Sequence, residues 1–196
     1  PPGTGKTTLA HAIADKLSAK ILSVTYADIA RKFHGEGPQN LKAAFHAAQR
    51  DGALLHIEEA DALSSQRLAE VTSGSEQAIN SLRNQFFSCL DQYPVFTICT
   101  TNFVESFDKA LETWLRFINI PMPDEECRKS IWDKCLTLPG SLNLSEEISV
   151  DELAKVDDIS GREIVDSVED ALLSAVLRST ESGLDHTHII VRQDDL

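Results

Sequence analysis

The sequence predicts an α/β fold, with a parallel sheet flanked by helices and followed by a small helical domain. Three observations lead to this class. Apolar runs of strand length alternate with stretches of helical spacing, as in strands joined by crossover helices. A glycine-rich loop runs directly into the first helix. After Pro123 the strand-like runs give way to helical spacing, which predicts one domain at 1–123 and a second at 124–196.

The helices of the first domain show apolar side chains at three- and four-residue spacing. They are predicted at 7–18, 39–49 and 75–91. Asp51-Gly52 breaks the second helix, since glycine is a poor helix former. In the third helix the apolar stripe consists of Ala78, Ile79, Leu82, Phe86 and Leu90.

The strands of the first domain are short apolar runs, of the type that is buried on both faces of a sheet. They are predicted at 21–25, 53–57, 95–100 and 117–120. Pro121 and Pro123 end the last strand, because proline cannot donate a hydrogen bond within a sheet.

The second domain is predicted to consist mainly of helices, which lie at 124–137, 150–155 and 161–179. Pro139-Gly140 separates the first two. The third has the strongest helical periodicity, with apolar residues at Ile164, Val168, Ala171, Leu172 and Val176.

The glycine-rich loop has the chemistry of a phosphate site. Residues 1–8 match the P-loop pattern G-x-x-x-x-G-K-[ST] apart from its first glycine. Gly3 and Gly5 let backbone N–H groups approach phosphate oxygens, Lys6 adds a positive charge, and the Thr7 hydroxyl can ligate Mg²⁺. The alternative is a plain turn before an amphipathic helix. The predicted nucleotide-binding residues are Pro2, Gly3, Thr4, Gly5, Lys6, Thr7 and Thr8.

A buried strand runs directly into the loop in P-loop folds. The sequence begins inside the loop, so we expect it to be a fragment that lacks one interior strand. We expect a sheet without that strand to be poorly stable on its own.

Two glutamates follow the predicted strand at 53–57. A P-loop nucleotide hydrolase needs an acid at the end of a second buried strand to hold Mg²⁺. Glu58 stands at that position, and Glu59 stands where a base can polarise the attacking water. A solvated acidic turn is the alternative.

Composition restricts the partners and the compartment. The net charge of −13 disfavours nucleic-acid binding through a basic face. No apolar run approaches the roughly 20 residues that span a bilayer, while membrane association and targeting are left open. The four cysteines form no C-x-x-C pair, which favours thiols of a reducing, cytoplasmic compartment.

Further motifs make the sequence similar to the AAA branch of the P-loop ATPases. Thr100-Thr101-Asn102 and the following Phe107-Asp108-Lys109-Ala110-Leu111 resemble the family's sensor 1 region. The stretch from Ile120 to Arg128 resembles the start of the family's helical lid. Lys32-Phe33-His34-Gly35-Glu36 stands where remodelling members carry a pore loop. The phosphate loop, and the strand at 53–57 with the two glutamates after it, also match this family. Together, all these motifs cover nearly the whole chain.

The resemblance implies a role for each motif. It implies that Lys6 and the loop backbone bind the phosphates of ATP, and that Thr7 and Glu58 hold Mg²⁺. It implies that Glu59 activates the attacking water and that Asn102 orients it. It also implies a homo-oligomer, a hexameric ring with ATP between neighbouring subunits, in which an arginine finger often meets the γ-phosphate.

Three positions depart from the family's pattern. Glu58 replaces the usual aspartate and moves the carboxylate by roughly 1.5 Å, so we expect slower hydrolysis. Thr113 replaces the first of two common arginines and leaves Arg116 as the finger, unless Arg116 is a surface salt-bridge partner. Arg162 stands where many members have alanine. It either contacts the γ-phosphate, as in other branches, or is an ordinary exposed helix arginine.

The leading interpretation is an ATPase that remodels or unfolds a protein or peptide substrate. In it Phe33, His34 and Gly35 grip the translocating chain, although packing of Phe33 in the core is an alternative. Glu58 and Thr113 leave open a nucleotide-binding structural subunit of a ring with little turnover. A DNA-associated AAA+ ATPase is disfavoured by the negative charge and by the Phe33 loop.

Overall fold

Two groups of residues pack within themselves in the computed structural model. The sheet unit is Lys6–Asn119, and the helical unit is Pro1–Gly5 together with Ile120–Leu196. The structure describes residues 1–29, 36–64, 74–103, 109–137, 143–145, 148–181 and 190–196. The domain boundary at residue 123 stays a prediction.

A parallel sheet organises the sheet unit. In the described part of the chain its strands are β1 (Lys20–Thr25), β2 (Ala53–Glu58) and β3 (Thr97–Cys99), and β2 lies between the other two. Ser23 lies opposite His56 in the first pairing, and Ile57 lies opposite Cys99 in the second. The parallel strands and their helices confirm the predicted α/β class.

Helices flank this sheet. They are α1 (Lys6–Lys16), α2 (Tyr26–Ile29), α3 (Gly37–Asp51), α4 (Asp61–Ser64) and α5 (Gly74–Gln92), with a 3₁₀ turn at Lys109–Thr113. Helix α3 ends where Asp51-Gly52 predicts, because Gly52 adopts φ +62° and donates its N–H to the carbonyls of Ala48 and Gln49.

The core of the sheet unit lies between β2 and the helices α3 and α5. Leu55 and Ile57 of the strand pack in one buried cluster with Phe45 of α3 and with Leu82 and Phe86 of α5. The rings of Phe45 and Phe86 are 6.2 Å apart between centroids. Leu82 and Phe86 of the predicted stripe are therefore core residues, whereas Ala78 is exposed.

The prediction of a strand at 117–120 is wrong. These residues have no regular secondary structure, and the side chains of Phe117 and Ile118 are 44% and 72% exposed. A strand forms only beside a hydrogen-bonding neighbour, and no described strand lies beside this segment. Strand β3 is also shorter than the predicted 95–100.

The helical unit contains α6 (Glu125–Leu136), α7 (Val150–Leu153) and α8 (Gly161–Glu181). Among its described residues, β4 (Asn143–Leu144) and β5 (Ile190–Val191) form a short parallel pair that the helical prediction for this unit omits. Trp132, Leu136, Leu153 and Ile164 are buried together as the core of the unit. Among the described helices, none combines the length and apolar character that a membrane crossing requires.

Arg128 fastens α6 to the segment after α7. Its buried guanidinium donates hydrogen bonds to the carbonyls of Ala154 and Pro123, and to the carboxylate of Asp157, at 2.8–2.9 Å. Asp124 begins the same helix, and its carboxylate accepts the Cys127 N–H at 2.8 Å. This cap holds the pKa of Asp124 below its usual value.

Candidate nucleotide site

The loop before α1 has the backbone that its glycines predict. Gly3 and Gly5 adopt φ of +72° and +83°, in the left-handed region that favours glycine. A Cβ atom on Gly3 would lie 2.5 Å from the Ser160 Oγ, whereas one on Gly5 would meet nothing within 4 Å. The Thr4 hydroxyl donates to the Pro1 carbonyl at 3.1 Å and closes the turn. Gly3 is thus required by conformation and by space, and Gly5 by conformation.

Helix α1 starts at Lys6, immediately after the loop. Its first turn contains no acidic residue, and the positive end of a helix favours an anion. Thr7 and Thr8 are exposed on this turn. Partial burial lowers the pKa of Lys6 from its usual value, because removal from water disfavours the charged ammonium group.

The amino end of α8 contacts the loop within the helical unit. The Arg162 N–H donates to the Gly3 carbonyl at 3.1 Å. The Ser160 hydroxyl accepts the Glu163 N–H, and the Glu163 carboxylate accepts the Ser160 N–H at 2.7 Å. This reciprocal pair is a capping box, and it lowers the pKa of Glu163. It fixes the helix start beside Gly3, while the Arg162 side chain is exposed.

A cavity of about 450 Å³ lies at this contact. It is lined by Pro1, Pro2, Gly3, Met122, Asp158, Ser160, Arg162 and Glu163.

The ends of β2 and β3 are tied together by backbone hydrogen bonds. The Thr100 N–H donates to the Ile57 carbonyl at 2.9 Å, and the Ala60 N–H donates to the Thr100 carbonyl at 3.1 Å. Glu58 ends β2, and Glu59 follows with φ +53°, an uncommon conformation for a residue with a side chain. Asn102 lies two residues beyond Thr100. The structure therefore places Glu58, Glu59 and Asn102 at the same edge of the sheet.

Oxygen donors suited to Mg²⁺ are present in the sheet unit. The Thr7 hydroxyl is exposed at the start of α1, and the Glu58 side chain is 31% exposed at the end of β2. Hydroxyl and carboxylate oxygens are the hard ligands that Mg²⁺ takes, with water completing its octahedron. The donor chemistry of these two residues fits the metal.

A histidine is buried in the middle of β2, next to these acids. The His56 side chain is fully buried, and its Nδ1 lies 3.6 Å from the Glu58 Oε1. Burial lowers the pKa of His56 from its usual value, and the charge of Glu58 opposes this shift. Neither His56 nor Ser160 belongs to the predicted site. The signals were present, as a histidine within an apolar run and as a Ser-x-x-Glu capping pattern.

Arg116 is the remaining predicted site residue that the structure describes. Arg116 is exposed and follows the 3₁₀ turn Lys109–Thr113. Phe33, His34 and Gly35 lie outside the described residues. The predicted roles of all these residues stay predictions.

The fold and the loop together define a P-loop nucleotide-binding protein. Residues 1–122 match the sequence model of the family described as "ATPase family associated with various cellular activities (AAA)". The chain belongs to this AAA family, which confirms the resemblance given by the sequence motifs.

Relatives of the chain are named for the proteasome. The chain is 31% identical over 184 residues to proteasome-activating nucleotidase 2 of Haloferax volcanii, covering 90% of this chain and 44% of the relative. It is 32% identical over 166 residues to the proteasome-activating nucleotidase of Methanothermobacter thermautotrophicus, covering 81% and 40%. It is 28% identical over 188 residues to the 26S proteasome regulatory subunit 6B homolog of Dictyostelium discoideum, covering 91% and 46%. The chain thus spans less than half the length of each.

Proposed function

We propose that the chain binds ATP together with Mg²⁺ and hydrolyses it, as part of a hexameric ring that remodels or unfolds a protein partner. The observation that carries the proposal is the form of the loop before α1. Gly3 and Gly5 have the left-handed backbone that turns successive N–H groups toward one anion, and the loop continues into a helix N-terminus. A triphosphate is the anion that such loops bind.

The phosphates and the water are assigned to residues of the sheet unit. Lys6 places its charge beside the β- and γ-phosphates, and Thr7 and Glu58 hold the metal ion, directly or through water. When bound, Mg²⁺ neutralises the charge that develops on the phosphate oxygens. Glu59 accepts a hydrogen bond from the attacking water and polarises it, and Asn102 orients the same water.

The nucleoside is assigned to the cavity beside Gly3. Its volume of about 450 Å³ suits a small molecule. Pro2 and Met122 offer apolar surface to a base, and Asp158 offers a carboxylate to a hydroxyl or amine. Arg162 lines the cavity. Its contact with the γ-phosphate is proposed only from the resemblance of its position at the helix start to the sensor arginine of other branches of the family. Pro2, Gly3, Thr4, Gly5 and Thr8 complete the proposed cofactor-binding set.

The ring and the protein substrate are proposed from the relatives. Two of them are named as nucleotidases that activate the proteasome, and the third as a proteasome regulatory subunit. In the proposed ring, Arg116 meets the γ-phosphate held by the neighbouring subunit, and Phe33, His34 and Gly35 grip the substrate. A reducing, cytoplasmic compartment completes the proposal, since the four cysteines are free thiols.

A structural ring subunit with little turnover is the second candidate. Glu58 stands where the family usually has aspartate, and Thr113 replaces the first of the two common arginines. Both features favour slower hydrolysis without affecting the phosphate loop. Nucleic-acid binding remains disfavoured by the net charge of −13.

Steady-state ATP hydrolysis by the intact protein separates the two candidates. We expect turnover that needs Mg²⁺ and that Glu59→Gln abolishes without loss of nucleotide binding, because this change removes the base and keeps the fold. Lys6→Ala is the matched control that loses binding. Nucleotide binding with no turnover above that of Glu59→Gln would establish the structural subunit instead.

A further inference from the structure

His56 occupies a place where three strands meet. It lies in the central strand β2, two residues before Glu58, so both side chains point to the same face of the sheet. Its Nδ1 is 3.3 Å from the Ser23 hydroxyl of β1, and its Nε2 is 3.2 Å from the Thr100 hydroxyl just beyond β3. A ring that is engaged at both nitrogens has a fixed orientation.

The neighbours of the ring decide which nitrogen carries the proton. The Glu58 carboxylate lies on the Nδ1 side, and an ionised carboxylate only accepts hydrogen bonds. We assign the proton to Nδ1, which lies 3.3 Å from the Ser23 hydroxyl and faces the Glu58 Oε1 at 3.6 Å, a distance beyond hydrogen-bond range. The Thr100 hydroxyl then donates to Nε2. His56 thus presents a fixed N–H toward Glu58.

Glu58 needs such a partner more than an aspartate would. A glutamate has one more rotatable bond than an aspartate, so its carboxylate samples more positions at the end of β2. The ring of His11 from α1 stands edge-on to that of His56, at 6.1 Å between centroids. The His56 side chain is fully buried, and the Glu58 carboxylate lies beside its Nδ1.

We propose that His56 is a positioning residue, which holds the Glu58 carboxylate at the strand end and thereby sets how strongly Mg²⁺ enhances nucleotide binding. The proposal rests on the proposed function, because it concerns the metal role of Glu58. Groups that orient a metal ligand are often as influential as the ligand itself, and their loss weakens metal binding by roughly 10- to 100-fold.

The test measures binding of a non-hydrolysable ATP analogue to the intact protein by calorimetry, with Mg²⁺ and with EDTA. The ratio of the two dissociation constants is the metal enhancement. For His56→Leu we expect this ratio to fall by about tenfold, while the affinity in EDTA stays close to that of the wild type. Glu58→Gln is the control that loses the enhancement.

Two conservative variants make the test specific for geometry. Asparagine places its amide near the position of Nδ1, and glutamine places its amide near Nε2. We expect His56→Asn to keep most of the enhancement and His56→Gln to lose it. If the role of His56 were purely structural, the metal enhancement of both variants would instead fall in step with their melting temperatures, which are measured in parallel.

The outcomes separate the two proposals. If the wild type binds no nucleotide with either metal or EDTA, the proposed function fails. If the wild type shows metal enhancement and His56→Leu keeps it, or if the asparagine and glutamine variants have equal ratios, the positioning role is overturned. Should His56→Leu not fold, the asparagine–glutamine pair decides. Thr100→Val, which removes the partner of Nε2, is expected to lower the ratio as well.

Discussion

Gly3 is the residue at which the loop accepts no side chain. Its φ of +72° places any other residue in a strained conformation, and a Cβ would lie 2.5 Å from the Ser160 Oγ and 3.1 Å from the Arg162 Cβ. The Ser160 Oγ is held as the acceptor of the Glu163 N–H, and the Ser160 Cβ, at 3.0 Å, and the Arg162 Cβ cannot rotate away, so backbone must move. Gly5 has a similar φ but open space around it, and the two glycines form a matched pair.

We expect Gly3→Ala to destabilise the protein more than Gly5→Ala. Both changes carry the left-handed penalty of about 1–2 kcal/mol. Gly3→Ala adds an overpacking cost of about 1–3 kcal/mol. Urea unfolding of both variants measures the difference in the free energy of unfolding. Equal destabilisation would show that the contact with α8 does not restrict the loop.

Glu58 is the second residue whose identity makes a testable difference. The proposed handicap of its longer side chain predicts that Glu58→Asp raises kcat, by up to about tenfold, which corresponds to roughly 1.4 kcal/mol of barrier. Single-turnover hydrolysis measures the chemical step directly. An unchanged rate would show that the longer side chain of Glu58 does not slow hydrolysis.

Sequence patterns identify some residues of this site and miss others. The loop glycines, Lys6 and the paired glutamates are contiguous motifs, so their chemistry is readable without a fold. The contacts of His56 with Ser23 and Thr100, and of Ser160 with Gly3, join residues far apart in the chain. Such contacts depend on strand register and helix docking, which local spacing does not specify.

At the scale of elements, strand pairing limits what the sequence predicts. Strands β1 and β2 are apolar runs that pair with each other in parallel, and both lie where the runs predict. The run at 117–120 has equal strand character, yet no described strand pairs with it. Apolar character allows a segment to form a strand, but it forms one only where it pairs with a neighbouring strand.

Helix α6 offers a stability test through Arg128. Arg128→Met leaves the carbonyls of Ala154 and Pro123 without their donor, and we expect a loss of about 2–4 kcal/mol in the free energy of unfolding. Lys129→Met is the matched control on the adjacent position, where the exposed pair with Asp151 contributes little. Chemical denaturation compares the two. Similar losses would contradict the role of the buried guanidinium.

The cap of α6 gives the unit a pH dependence. The Cys127 N–H bonds to the Asp124 carboxylate and lowers its pKa, so the folded value lies below the unfolded one. The stabilisation is therefore complete above the unfolded pKa and is lost as the pH falls through the folded pKa. From about pH 6 to about pH 3, we expect the melting temperature of the wild type to fall more than that of Asp124→Asn, which keeps a neutral cap. Parallel curves would exclude the contribution.

At the scale of the whole chain, the net charge of −13 disfavours partners that are rich in phosphate. A surface of this sign repels the phosphates of DNA at low salt, where electrostatic binding is strongest. It does not hinder the proposed polypeptide substrate, because the grip proposed for Phe33 is apolar.

We expect an unfolded polypeptide to stimulate ATP hydrolysis by the intact protein and double-stranded DNA to leave it unchanged at about 50 mM salt. The measured quantity is the ratio of stimulated to basal rate, with Glu59→Gln as the blank. Phe33→Ala should bring this ratio toward one, because it removes the aromatic side chain proposed to grip the chain. Stimulation by DNA would contradict the proposed protein substrate. A ratio that Phe33→Ala leaves unchanged would show that the substrate contacts another surface, and only the proposed nucleotide site would then stand.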